Sequence, residues 1–137
     1  MDSATPYEVL FYQTRRGTSP VRDFLRSLAP DAHAKCARYM AALEQQGLAL
    51  PASFIKKVAD DLWELRPEYN GVEYRFFYFT FVDRKFVVVH ALKKKTQKTR
   101  RQDISLAMAR IREIRERTEE IEKNATPELQ IPSTAHR

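Results

Sequence analysis

The chain has 137 residues, of which 43% are apolar, and a formal net charge of +6. That length supports one hydrophobic core rather than two, and no run approaches the roughly 18 consecutive apolar residues of a membrane-spanning helix. Its one cysteine, Cys36, excludes an internal disulfide, and no Cys/His cluster has zinc-ligand spacing, so neither a metal nor a cofactor is expected.

Residues 1–6 read as a flexible N-terminus without the basic and apolar regions of a secretion signal, which points to a cytoplasmic protein with no membrane partner. Tyr7, Val9 and Phe11 alternate with Glu8, Leu10 and Tyr12, a strand pattern. Ser19-Pro20 then supplies an N-cap and a first-turn proline for a helix carrying Val21, Phe24, Leu25 and Leu28 on one face. Pro30-Asp31 opens a second helix with Cys36, Ala37, Met40 and Leu43 inward, and Gly47 is placed to end it.

Period two returns with Leu62, Trp63, Glu64, Leu65 and Arg66, so residues 61–67 form a second strand. Glu68-Tyr69-Asn70-Gly71 reads as a turn. The next strand, Tyr74 to Phe81, is aromatic on both faces, the pattern of a central strand covered on each side. Asp83-Arg84 reverses the chain into Phe86 to Leu92, also too apolar for a solvated face. Lys93 to Gln102 has no apolar residue and leaves the core as a loop. Thr99 and Gln102 have capping-box spacing, and Ile104, Met108, Ile111 and Ile114 continue as a helical stripe to about residue 122. Residues 124–137 lack periodicity and are expected to be a disordered tail. The order is β-α-α-β-β-β-α, an α+β domain over residues 7–123, with helices against one face of an antiparallel sheet and the other face free.

The charge is not spread evenly. Residues 66–102 carry ten Lys/Arg against three Asp/Glu, whereas residues 1–65 balance at eight each and residues 103–137 carry six against seven. A localised cationic excess is what a polyanion-binding surface requires, since each neutralised phosphate releases condensed counterions. The bland alternative is a solvated face that keeps the protein soluble.

Three blocks in order, Leu62-Trp63-Glu64-Leu65-Arg66, Tyr74-Arg75-Phe76-Phe77-Tyr78 and Ala91-Leu92-Lys93-Lys94-Lys95-Thr96-Gln97-Lys98-Thr99, resemble the phage-derived Gp49-like branch of the HigB toxins, within the RelE/ParE superfamily. The resemblance covers roughly residues 7–117. It implies a type II toxin that cleaves messenger RNA, often on the ribosome, and a cognate antitoxin partner. It also implies that Arg75 contacts the scissile phosphate, that Lys94 and Lys95 are the basic pair after the last strand, and that Lys56 and Lys57 lie on the approach to Arg66. Two departures stand out. The final helix offers no tyrosine at Gln102-Asp103-Ile104-Ser105, and Glu64 stands where these nucleases place a strand lysine.

Metal-free cleavage by 2′-hydroxyl attack needs a base, cations around the phosphorus and a donor to the leaving oxygen. Arg66, Arg75, Lys94 and Lys95 supply the cations, and Lys56, Lys57, Lys93, Lys98, Arg100 and Arg101 would hold the RNA. Glu64 is the candidate base, although the cations beside it work against its accepting a proton. Each has a structural alternative: Arg75 as a strand arginine paired to Glu64 or Glu73, Glu64 as its ion-pair partner, and His90 as a hydrogen-bonded core histidine. Two other functions fit the same features, a ParE-like gyrase inhibitor and a non-catalytic nucleic-acid-binding module.

Overall fold

A computed structural model describes residues 6–94 and 99–124. The elements are β1 (Glu8–Phe11), α1 (Pro20–Arg26), α2 (Pro30–Gln46), β2 (Ile55–Ala59), β3 (Leu62–Leu65), β4 (Glu68–Tyr69), β5 (Val72–Phe81), β6 (Lys85–Lys93) and α3 (Arg101–Asn124). The expectations for residues 1–5, for Lys95 and Lys98, and for the tail beyond residue 124 fall outside the described residues. The class is α+β, as expected, with a six-stranded sheet.

The sheet runs β1-β6-β5-β3-β2, with β4 paired to β5. All pairs are antiparallel except β1 with β6, which is parallel. The parallel pair departs from the purely antiparallel expectation because β1 reaches its partner through a long crossover rather than a hairpin. Strand β2 was also not expected: Lys56 and Lys57 are both exposed and interrupt the apolar alternation that marks a strand. It is an edge strand, where lysines blunt pairing with other chains.

Alternate residues of β5 face opposite cores. Tyr74, Phe76 and Tyr78 pack with Val21, Leu25, Cys36, Met40 and Leu43 of α1 and α2. Phe77 and Phe79 pack with Leu62, Val87, Val89, and Ala107 and Ile111 of α3. Helices therefore cover both faces, which corrects the expectation of one free face. The physical reason is β5 itself: Phe76, Phe77, Tyr78 and Phe79 are all 0% exposed, and burying each phenylalanine contributes about 2 kcal/mol.

The local stops are those the residue types dictate. Ser19 caps α1 by accepting from the Arg22 N–H at 3.3 Å. Gly47 ends α2 at φ 54, where a Cβ would lie 2.5 Å from the Tyr7 ring. Asn70 (φ 54) and Gly71 (φ 80) form the two-residue turn between β4 and β5. The cluster Glu68 to Gly71, expected as a turn throughout, is thus half strand: Glu68 lies opposite Glu73 and Tyr69 opposite Val72. On the far side of the molecule, the Tyr12 hydroxyl donates to Glu113 Oε1 at 2.6 Å, and Arg110 and Arg117 lie over its ring at 5.0 and 5.7 Å. This contact locks α3 against the residue that follows β1.

Candidate nucleic-acid interface

Cross-strand partners share a face of the sheet. Lys56, Glu64, Phe77 and His90 are successive partners across β2, β3, β5 and β6, so they form one row on the α3 side. Arg75 and Glu73, two and four residues before Phe77, project on that same side. Here the sheet extends past the start of α3, and polar residues replace the aromatic core.

The cluster is built on two carboxylates. Glu64 is 2% exposed; its Oε1 lies 3.3 Å from Arg75 Nε and 3.5 Å from Arg66 Nε. Its Oε2 accepts from the Thr99 hydroxyl at 2.9 Å. Glu73 Oε1 receives Arg75 Nη2 at 2.8 Å and Lys94 Nζ at 3.3 Å. Hydrogen bonds from Lys94 and then Arg75 hold the Glu73 carboxyl below its usual range, outweighing partial desolvation. Arg75 Nη1 donates to the Tyr74 carbonyl at 2.9 Å. The arginine is only 4% exposed, and Nε and both Nη nitrogens face acceptors of this chain. A polar cavity of about 190 Å³ opens beside it, lined by Ser53, Arg66, Glu68, Glu73 and Arg75.

The residues singled out in the sequence divide accordingly. Arg66, Arg75, Lys94 and Glu64 come together, and Lys56, exposed on β2, stands directly opposite Glu64. Lys57 is opposite Trp63 and Lys93 opposite Tyr74, so both exposed lysines lie on the α1/α2 face of the sheet. Arg100 pairs with Asp103 at 3.1 Å while its side chain stays 55% exposed, and Arg101 is exposed at the start of α3. Lys95 and Lys98 are not among the described residues.

Three contributors were not anticipated. Thr99, expected to cap α3, reaches back to Glu64, and Arg100 takes the capping position with its carbonyl receiving the Asp103 and Ile104 N–H groups. Asp103 accepts or shares a hydrogen bond with His90 Nε2 at 2.9 Å, and the His90 ring stacks on Phe77 with centroids 5.5 Å apart. His90 is therefore the bonded, semi-buried histidine of its structural alternative. The third is the contact of Glu73 with Lys94: Glu73 was weighed as a partner of Arg75, which it is, and only the β5–β6 register shows Lys94 beside it as well. Lys94 and Thr99 are thus each bound to a carboxylate of the cluster, Lys94 to Glu73 and Thr99 to Glu64.

Among the described residues, no helix is long and apolar enough to cross a membrane, and no group of three His, Cys, Asp or Glu residues could hold a metal ion. The model of the family described as phage-derived protein Gp49-like matches residues 23–112. The match runs from α1 into α3 and includes every residue of the two-carboxylate cluster. No curated protein matches the chain.

Proposed function

The chain belongs to the Gp49-like family of phage-derived proteins, and from that premise we propose that it is a toxin with endoribonuclease activity, of the RelE/HigB type, acting on messenger RNA. The family is associated with toxin–antitoxin modules, which makes a cognate antitoxin the fitting partner. The observation that carries the reading is the convergence of Arg66, Arg75 and Lys94 on two carboxylates beside an open polar cavity. The buried Glu64 carboxylate fixes Arg75 and Arg66 in advance, and cations so held need little reorganisation when charge accumulates on a phosphorane, which is where electrostatic catalysis gains most.

In the proposed reaction the 2′-oxygen forms a bond to the adjacent phosphorus as its proton leaves. The bond from phosphorus to the 5′-oxygen then breaks and that oxygen is protonated, leaving a 2′,3′-cyclic phosphate. A guanidinium carries five N–H groups, so Arg75 keeps donor capacity beyond its three internal contacts. The side chains of Arg66 and Lys94, 30% and 15% exposed, are more open to solvent than that of Arg75, at 5%. Glu64 serves in this scheme as the anchor of both arginines. Lys56, Arg100 and Arg101 extend the cationic surface along the row and onto α3, and Lys95 and Lys98 add to the same basic stretch.

Inducible expression of wild type, Lys94→Ala and Arg66→Ala, followed by primer extension on total RNA, tests the reading. Wild type should arrest growth and yield discrete messenger ends, and each variant should blunt both. Intact transcripts in arrested wild-type cells would overturn it. The burial of Arg75 and the internal contacts made by all three of its nitrogens favour one other reading, a non-catalytic RNA-binding module in which the arginine is a frame for rim lysines. In that case the same cells show RNA bound to the protein and no new messenger ends.

A further inference from the structure

Glu73 is the acid of the cluster that faces solvent. Its side chain is 43% exposed, against 5% for Arg75 and 15% for Lys94, yet its Oε1 lies between the guanidinium and the ammonium of those two residues. Two cations converging on one oxygen, next to a cavity that the same carboxylate lines, is the arrangement a phosphate oxygen would adopt. The carboxylate also has a like charge beside it. Glu68 is its direct cross-strand partner and lines the same cavity, and like charges set opposite each other on paired strands repel. Glu64, by contrast, is buried and tied by Arg66, Arg75 and Thr99, so the cluster keeps its frame if Glu73 swings away.

We propose that Glu73 is a specificity residue, an internal carboxylate that occupies the phosphate position between Arg75 and Lys94 and must be displaced by substrate. This rests on the reading of the cluster as an RNA site. A lone phosphate must compete with a tethered carboxylate, whereas a strand that also engages Arg100, Arg101 and Lys56 brings enough further contacts to displace it. The site is thereby tuned to polyanionic strands over single anions and mononucleotides. Only the fraction of molecules with Glu73 displaced is competent to bind, and apparent affinity falls by that fraction. Two partly exposed ion pairs of ordinary strength hold that fraction near one in ten, a cost of about tenfold in affinity.

The test is binding of a short single-stranded RNA carrying 2′-O-methyl groups, which keeps the phosphates and removes the attacking hydroxyl, followed by fluorescence anisotropy across a range of salt. Inorganic phosphate is the competitor. Glu73→Gln, isosteric and still able to accept from Arg75, should bind the RNA about tenfold more tightly. Its binding should also depend more steeply on salt, by about 0.7 in the log–log slope, because the variant presents one more net positive charge to the phosphates. Inorganic phosphate should compete better against the variant than against wild type. Lys94→Ala in the Glu73→Gln background should remove the gain. Glu73→Ala covers the case in which the glutamine adopts another rotamer, and thermal melts establish that each variant is folded. Wild-type binding with no gain in either folded variant, or a gain with an unchanged salt slope, overturns this inference alone. Absence of RNA binding and cleavage by wild type and variants alike overturns the RNA site and this inference together.

Discussion

Glu64 offers the sharpest test of how the cluster is held. Glu64→Ala would leave Arg75, 4% exposed, with Glu73 and the Tyr74 carbonyl as its remaining acceptors, and would deprive Arg66 of its counter-ion and the Thr99 hydroxyl of its acceptor. Removing one partner of a buried ion pair costs about 3–5 kcal/mol, because a desolvated charge is left uncompensated. For a domain of this size each kcal/mol lowers Tm by about 3–5 °C, so the melt should fall by roughly 10–20 °C. The loss should persist at high salt, since buried charges are little screened. Glu64→Gln keeps the shape and one acceptor oxygen and should lose less than half as much. The glutamine variant also separates anchor from base. A general base contributes about 10²–10⁴ in rate, so an anchor-only Glu64 predicts RNA cleavage by Glu64→Gln within about tenfold of wild type. Differential scanning calorimetry and single-turnover cleavage read both quantities. An alanine variant melting within a few degrees of wild type would refute the buried-pair reasoning, and a glutamine variant that is folded but thousands-fold slower would move Glu64 into the proton-transfer chemistry.

Tyr78 is fully buried, its hydroxyl has no hydrogen-bond partner among the described residues, and burial pushes its ionisation well above the usual phenol range. Tyr78→Phe should therefore stabilise the protein by about 1 kcal/mol, read as an upward shift in the denaturant midpoint at unchanged m. Gly47→Ala combines a positive φ with a Cβ 2.5 Å from the Tyr7 ring and should cost at least about 1–2 kcal/mol in the same assay. Acidification should weaken the β4–β5 end of the site: hydrogen bonds from Lys94 and Arg75 hold the folded Glu73 carboxyl below its unfolded range, so its contribution is complete above that range and is lost as pH falls through the lowered one. The acid limb of stability against pH should accordingly be flatter in Glu73→Gln. Cys36 is fully buried and its thiol is pushed up to about 11 by desolvation, so Ellman's reagent should label it at the rate of unfolding and not before.

Much of the scaffold was legible because it is written in local patterns. The Ser19-Pro20 start of α1, the stripe of α2 and the doubly aromatic β5 each announce themselves within a few residues. What escaped depends on relations between distant segments. Nothing near residue 8 shows that β1 pairs parallel with β6, and the two exposed lysines of β2 mask a strand that exists because β3 offers it an edge. The same division runs through the site. Pairing of Arg75 with Glu64 or Glu73 could be weighed from sequence, and the structure has both at once. The bridging position of Glu73 depends on a β5–β6 register that brings residues 21 apart together, with the Lys94 N–H donating to the Glu73 carbonyl at 2.8 Å. Thr99 looked like a helix cap because its neighbours fit that motif; a buried carboxylate across the sheet was the stronger acceptor.

The parallel pairing of β1 with β6 also sets an order of events during synthesis. The β3 to β6 region folds through tight turns and contacts close in sequence, whereas β1 must wait for Lys85 to Val88 before its ladder exists. A nascent chain that has released β1, α1 and α2 thus carries Val9 and Phe11 without a sheet to join. Translation delivers the first strand early and assembly needs it late. Closing that loop is a slow, non-local step, so β1 joins last, onto a β3 to β6 meander whose residues Glu64, Glu73, Arg75 and Lys94 can already have met.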